Sequence, residues 1–357
     1  MKFVLLFAVC AVAFGQAKLT GGSGKMYIGG RPGVVLILDE ATEKVVGQFK
    51  TRTGTPSLGG MILSKDKKLG FWDAENHEDI EIADLADGKV IDTFRLSEGN
   101  KKVRVRALEV DPTNSFLVFM SKSYTKLSDH FEIGPNEIVL YDIKQHKIAR
   151  KIPWPKDEER EFAAFKYSPD GKLLYIFGED IIVLDTTKDF KEVDKWELTK
   201  PYEDGLGRVA FGGLDDTYED PGFFTGIFTV QDSVQNRRIM GIGRVNLERK
   251  SVDFNALGPA TGVSFTMAPN REWGYGLHQE IGKYEFWTFD LKNHKIHSRT
   301  EFQGRPRMSL KTSSNGKLLY IYMAGRTIDI YEAATYKYLR TIELDTDMAG
   351  LLLVPGK

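Results

Sequence analysis

From Lys25 onward the chain alternates short apolar runs with polar turns, and the runs are rich in Val, Ile, Leu, Phe and Tyr. Runs of that length and composition predict β-strands. No stretch sustains the 3.6-residue apolar period of an amphipathic helix, so few helices are expected. The runs also repeat as a unit: a strand, a polar turn with Pro, Asp, Asn or Gly, a second strand, a third ending near Asp, and a fourth. The clearest copy runs from Phe165 through Tyr167-Ser168-Pro169-Asp170-Gly171-Lys172 to Ile176, then Ile181-Ile182-Val183-Leu184-Asp185. A near relative is Ser313-Ser314-Asn315-Gly316-Lys317-Leu318-Leu319-Tyr320-Ile321, followed by Ile328-Asp329-Ile330-Tyr331.

Third strands are expected to end at Asp39, Asp84, Asp142, Asp185, Asn246, Asp290 and Tyr331, with spacings of 45, 58, 43, 61, 44 and 41 residues. That makes seven units, two of them carrying insertions. Four-stranded repeats of this period predict an all-β, seven-bladed β-propeller. Unit one begins with Lys25-Met26-Tyr27-Ile28, which already reads as a second strand, while Ala349–Pro355 resembles a first strand. The C-terminal strand is therefore expected to join the first blade and close the ring. Residues 16–357 form one domain in this reading. With strands lettered a to d from the channel outward, the d–a and b–c loops share the face where propellers commonly bind.

Composition narrows the functional classes. The 357 residues carry 49 Lys+Arg against 50 Asp+Glu, a net charge of −1, with 41% hydrophobic residues. A chain so composed folds rather than remaining disordered. Its overall charge argues against a nucleic-acid or anionic-membrane binder, which needs a basic footprint. The one cysteine, Cys10, lies in the apolar run Phe3–Phe14, which follows Lys2 and precedes Gly15-Gln16-Ala17. That arrangement reads as a signal peptide over residues 1–15, too short to span a bilayer as about 20 apolar residues would. The expected location is extracytoplasmic, periplasmic or secreted. The mature chain then has no cysteine, so disulfides cannot staple it.

Candidate chemistry is sparse. Arg104, Arg106, Arg160, Arg208, Arg305 and Arg307 recur just upstream of inner strands. Converging at the channel mouth they would make a positive funnel for a carboxylate, a phosphate or an acidic partner. The competing reading pairs them with Glu161, Asp204 and Asp347. His77, His130 and His278 fall in expected b–c loops, and His146, His294 and His297 at c–d connections. They read as solvated loop histidines rather than a shared metal site. Asp215-Asp216-Thr217-Tyr218-Glu219-Asp220 lacks calcium-loop spacing and reads as a solvated turn. Gly21-Gly22-Ser23-Gly24-Lys25 fails as a phosphate loop because Met26 follows and a strand, not a helix, is entered. The long insertion 121–136 in unit three, with Asp129, His130 and Phe131, is the most informative loop surface.

The segments Val34–Val46 and Tyr167–Tyr175 resemble the YVTN-type propeller repeat. Trp72-Asp73 is the one Trp-Asp dipeptide, so the chain does not resemble a Trp-Asp repeat propeller. The block Leu127-Ser128-Asp129-His130-Phe131-Glu132-Ile133-Gly134-Pro135-Asn136, running into Glu137-Ile138-Val139-Leu140-Tyr141-Asp142, is similar to the β subunit of quinohemoprotein amine dehydrogenases. Residues 260–355 also look like the end of that subunit. The resemblance implies a non-catalytic propeller that packs beside protein partners, with haem and quinone carried by those partner chains and no cofactor in this one. The sequence has no Cys-x-x-Cys-His for haem attachment. Two other readings stay open: a stand-alone ligand-binding propeller, and a lactonase-like enzyme with polar residues converging in the channel.

Overall fold

The computed structural model describes residues 18–56, 61–155, 163–178, 180–197, 206–323 and 325–356. The signal-peptide reading of residues 1–15 lies outside them. The chain enters on β1 (Lys25–Gly30), β2 (Val34–Asp39) and β3 (Lys44–Lys50). Blade two is β4 (Ile62–Leu63), β5 (Leu69–Asp73), β6 (Asp79–Asp84) and β7 (Lys89–Arg95). Blade three is β8 (Lys101–Val110), β9 (Phe116–Lys126), β10 (Phe131–Asp142) and β11 (Lys147–Pro153). Blade four is β12 (Ala164–Tyr167), β13 (Leu173–Phe177), β14 (Ile181–Asp185) and β15 (Lys191–Trp196). Blade five is β16 (Leu206–Asp215), β17 (Phe223–Asp232), β18 (Arg237–Asn246) and β19 (Ser251–Pro259). Blade six is β20 (Thr266–Met267), β21 (Trp273–Glu280), β22 (Lys283–Asp290) and β23 (Lys295–Glu301). Blade seven is β24 (Ser309–Thr312), β25 (Leu318–Tyr322), β26 (Thr327–Glu332) and β27 (Tyr338–Glu343). The last strand, β28 (Met348–Val354), returns to blade one.

The seven sheets are four-stranded, antiparallel meanders, and blade one has the order β28-β1-β2-β3. The expected closure is therefore present. Met26 faces Leu353, Tyr27 faces Leu352 and Ile28 faces Leu351. Among the described residues no α-helix occurs, nor any helix long and apolar enough to cross a membrane.

The repeat signature has a local cause. The third-strand Asp closes the following turn by accepting a backbone N–H three residues on: Thr42 to Asp39 at 2.8 Å, Gln145 to Asp142 at 2.7 Å, Asn293 to Asp290 at 2.9 Å. Asn246 does the same for Arg249 at 3.1 Å. Side chains of this kind mimic a backbone turn and so stop a strand at a fixed place. The a–b turns share another device. Ser64, Ser168 and Ser313 each accept the N–H five residues on through Oγ, at 2.9, 3.0 and 2.9 Å. Gly171 and Gly316, at φ 75° and 71°, supply the left-handed step in two of these turns.

Apolar side chains from neighbouring blades interleave. The largest cluster, thirteen buried residues including Leu36, Tyr320, Leu344 and Leu351, joins blades seven and one. Beside it the fully buried Glu40 accepts from Gly24 N at 3.0 Å, Ser314 N at 2.9 Å, Tyr320 Oη at 2.9 Å and Ser314 Oγ. Removing residues 349–357 deletes most of the closing strand and opens this interface. The truncated protein is expected to melt at least about 10 °C lower, as followed by circular dichroism. Melting at the full-length temperature would contradict closure by β28.

Candidate functional site

Because the Asp turns end the c strands at the lower face, c-strand length measures how far each blade rises on the upper face. β10, β18 and β22 have 12, 10 and 8 residues, whereas β2, β6 and β26 have 6 and β14 has 5. At about 3.3 Å per residue, blades three, five and six stand roughly 7 to 20 Å proud of the others.

Blade three forms a raised platform. Lys102 and Ile133 both face Tyr124, Arg104 faces Lys122, and Phe131 faces Lys126. Directly opposed residues share a sheet face, so aromatic, aliphatic and basic side chains are interleaved on one side. The Arg104 guanidinium lies 5.9 Å from the Tyr124 ring centre. The turn at the tip is tight, with Leu127 N–H donating to His130 O at 2.9 Å. Asp129 and His130 pair at 2.8 Å, and Phe131 and Ile133 are 63% and 58% exposed. Two large apolar side chains are thus left in water on this hairpin.

The arginines expected to form a funnel take separate places. Arg104 is exposed on β8, and Arg106, also on β8, lies close enough to Asp73 for its charge to act on that carboxyl. Arg305 donates to Asp329 at 2.6 Å and to Thr327 O at 3.2 Å, which fastens it to blade seven. Arg307 is exposed, with a left-handed φ of 60°. Arg208 lies on β16, and Arg160 falls outside the described residues. Blades three and seven are three steps apart on a ring of seven.

The acidic stretch of blade five is not the solvated turn its sequence suggests. It is a strap across the lower mouth of the channel. Asp215 is buried and accepts from Met267 N at 2.9 Å and Thr266 Oγ1 at 3.3 Å in blade six. Asp216 meets Lys166 of blade four at 2.8 Å, and Lys166 also lies 3.3 Å from Glu109 of blade three. Tyr218 Oη donates towards Thr312 O and Ser313 O of blade seven at 3.4 and 3.3 Å. Glu219 holds Arg244 through two bonds of 3.0 Å, and Asp220 holds Arg271 at 2.6 Å. Sequence reasoning missed the strap because most of its partners lie on blades four, six and seven, far away in sequence.

Electrostatics in the strap follow from burial. Burial opposes the Lys166 charge, but Glu109 and Asp216 outweigh it and hold the ammonium above the ordinary lysine range. Burial pushes the Glu109 carboxyl up, only partly offset by Lys166. For half-exposed Asp216 the balance goes the other way: Lys166 outweighs the desolvation and keeps its carboxyl below the usual range.

Of the histidines, His77, His130, His146 and His294 lie in the expected connections, whereas His278 and His297 lie on strands. His77 lies in the b–c turn of blade two, paired with Asp73, and its carbonyl accepts Val105 N at 2.7 Å. His278 lies within β21 rather than in a loop and is buried, with Nδ1 2.9 Å from Gly262 O. His146 meets Asp92 at 2.8 Å, His294 is exposed in the c–d turn of blade six, and His297 on β23 packs edge-on to Trp273. Among the described residues no three His, Cys, Asp or Glu are grouped to hold a metal ion.

No protein-family model matches the chain, and no curated protein matches it by sequence. Its fold is similar to the dihydro-heme d1 dehydrogenase NirN in complex with DHE, with a TM-score of 0.59 and 13% identity over 93% of this chain and 75% of that one. A functionally unknown protein from Desulfotomaculum acetoxidans matches with a TM-score of 0.57 and 13% identity, over 94% and 100% of the two chains. Apo AztD from Citrobacter koseri matches with a TM-score of 0.54 and 12% identity, over 94% and 98%. Identities this low express a shared propeller fold.

The strap's central cation can be tested directly. Lys166→Met leaves Glu109 and Asp216 without their counter-charge, which is expected to cost about 3 kcal/mol at neutral pH. The deficit should shrink as pH falls through the carboxylate range, because protonation removes the uncompensated charge. Denaturant melts of both proteins at pH 7 and pH 4 check this. A pH-independent deficit would locate the damage in packing instead.

Proposed function

We propose that the chain is an exported, non-catalytic binding propeller that docks a protein partner on the upper face of blade three. The observation that carries the reading is the platform of exposed Phe131 and Ile133 around half-buried Tyr124, with Arg104 and Lys126 beside it. Protein interfaces use such a patch: aromatic anchors at the centre and arginine among them. The lower channel mouth is crossed by the Asp215–Asp220 strap, which supports placing recognition on the opposite face.

The same hairpin carries the block that resembles the propeller subunit of quinohemoprotein amine dehydrogenases. On that resemblance the partner is a redox chain, and haem or quinone belongs to it. This chain would then hold and orient its partner, and electron transfer would occur next door. Arg104 and its basic neighbours suit an acidic patch on that partner, because clustered charge steers encounter even when net charge is near zero.

Purification of the native protein under mild conditions should bring the partner with it. The double variant Phe131→Asp/Ile133→Asp is expected to weaken that association at least about tenfold, with an unchanged melting temperature. A lone colourless monomer, or a variant that holds its partner as well as the wild type, would sink the reading.

A further inference from the structure

We infer that the ring opens at the seam between blades five and six, and that the Asp215–Asp220 strap is the latch that holds this seam shut. The interfaces between blades are built unequally. Thirteen buried apolar residues join blades seven and one, and eight to eleven fill each of five other interfaces. Blades five and six share four: Met240, Ile242, Trp287 and Phe289.

A cleft of about 910 Å³ takes the place that apolar side chains fill elsewhere. Ile242, Arg244 and Asp253 line its blade-five wall, and Glu272, Leu291 and His294 its blade-six wall. A small void lined by Ile242, Leu257 and Phe289 carries the gap further inward.

The gap has a cause in the sequence. Two residues before their third strands end, blades one to four carry Ile37, Ile82, Leu140 and Val183. Each of these packs into the seam with the next blade. Blade five has Arg244 at that position, directly opposite Thr225 on one side and Asp253 on the other. A guanidinium must keep a polar partner or water, and Glu219 holds this one through two bonds of 3.0 Å. Asp253, Glu272 and Lys292 at the rim are exposed and form no ion pair among the described residues. Polar groups therefore stand where the other seams have core.

The strap supplies the bonds that cross this seam. Asp215 accepts from Met267 N and Thr266 Oγ1, and Asp220 meets Arg271. The Asp220–Arg271 pair is exposed on both sides and adds little. Asp215 is buried, and its carboxylate accepts a backbone N–H at 2.9 Å, so it carries the latch. Proteins open locally where few buried apolar contacts hold them. Opening here parts Ile242 from Phe289 but leaves each four-stranded sheet whole, the β28–β1 pairing included.

Cys10 is the one native cysteine, so in the mature chain a single introduced thiol reports on its own seam. Met240→Cys probes the blade five–six seam and Ile321→Cys the blade six–seven seam, both at side chains 1% exposed. Denaturant melts of each variant give the rate of thiol labelling that global unfolding alone would allow. Met240→Cys is expected to react with a disulfide reagent at least about tenfold faster than that rate, and Ile321→Cys at it. Adding Asp215→Ala should speed Met240→Cys by about a further tenfold, beyond any change in global stability, and leave Ile321→Cys at its global rate. Labelling of Met240→Cys at the global rate, equal excess labelling of Ile321→Cys, or no response to Asp215→Ala would each overturn the inference. Should Asp215→Ala fail to fold, hydrogen exchange of the Met267 amide in the unaltered protein reads the latch directly. Its exchange is expected well before global unfolding, and protection equal to the global stability would overturn the inference.

Discussion

The pairing of β28 with β1 is the contact on which the ring depends. Every other blade is a local meander of consecutive strands, whereas this sheet joins residues more than 300 positions apart. Closing so long a loop costs entropy, and the compensation is concentrated there. The blade seven–one interface has thirteen buried core residues, against four between blades five and six. Glu40 and the Arg340–Glu43 pair add polar bonds across the same seam. Without a cysteine in the described chain, packing and hydrogen bonding hold the closure.

A closed ring gives two faces, and the structure treats them differently. The lower face is tied together by the Asp215–Asp220 strap, whose bonds reach blades four, six and seven. Mixed charges there are spent on one another, with Lys166 shared between two carboxylates. On the upper face, long hairpins lift apolar and basic side chains away from the ring, where they find no intramolecular partner large enough to cover them. A rigid frame with adaptable loops on one side is a common division of labour in binding proteins.

Much of the fold was legible because its signals are local. The Asp that ends a third strand makes its own turn, so spacing of that residue reports blade number directly. The apolar character of Ala349–Pro355 and the missing first strand of unit one were enough to expect closure. The insertion of unit three was also visible, and its tip residues Asp129, His130 and Phe131 lie on the raised hairpin. Less legible were residues whose partners lie far away in sequence. Asp215 looked like turn sequence but is a buried clasp, His278 looked like loop sequence but is a buried strand residue, and Arg305 is bound to Asp329.

Strand periodicity, turn chemistry and repeat spacing depend on neighbours within a few residues, so the sequence by itself determined the strand order, the blade number and the closing strand. Which charges neutralise one another depends on how blades are brought side by side, and the same is true of which hairpins stand above the rim. Tertiary structure alone decided that the acidic stretch ties blade five to blades four, six and seven and that the arginines spread around the ring. It also decided that Val234 and Ile281, ordinary letters in an apolar-rich chain, stand exposed in water. Electrostatic and hydrophobic free energies follow distances and burial, and those exist only once the ring is closed.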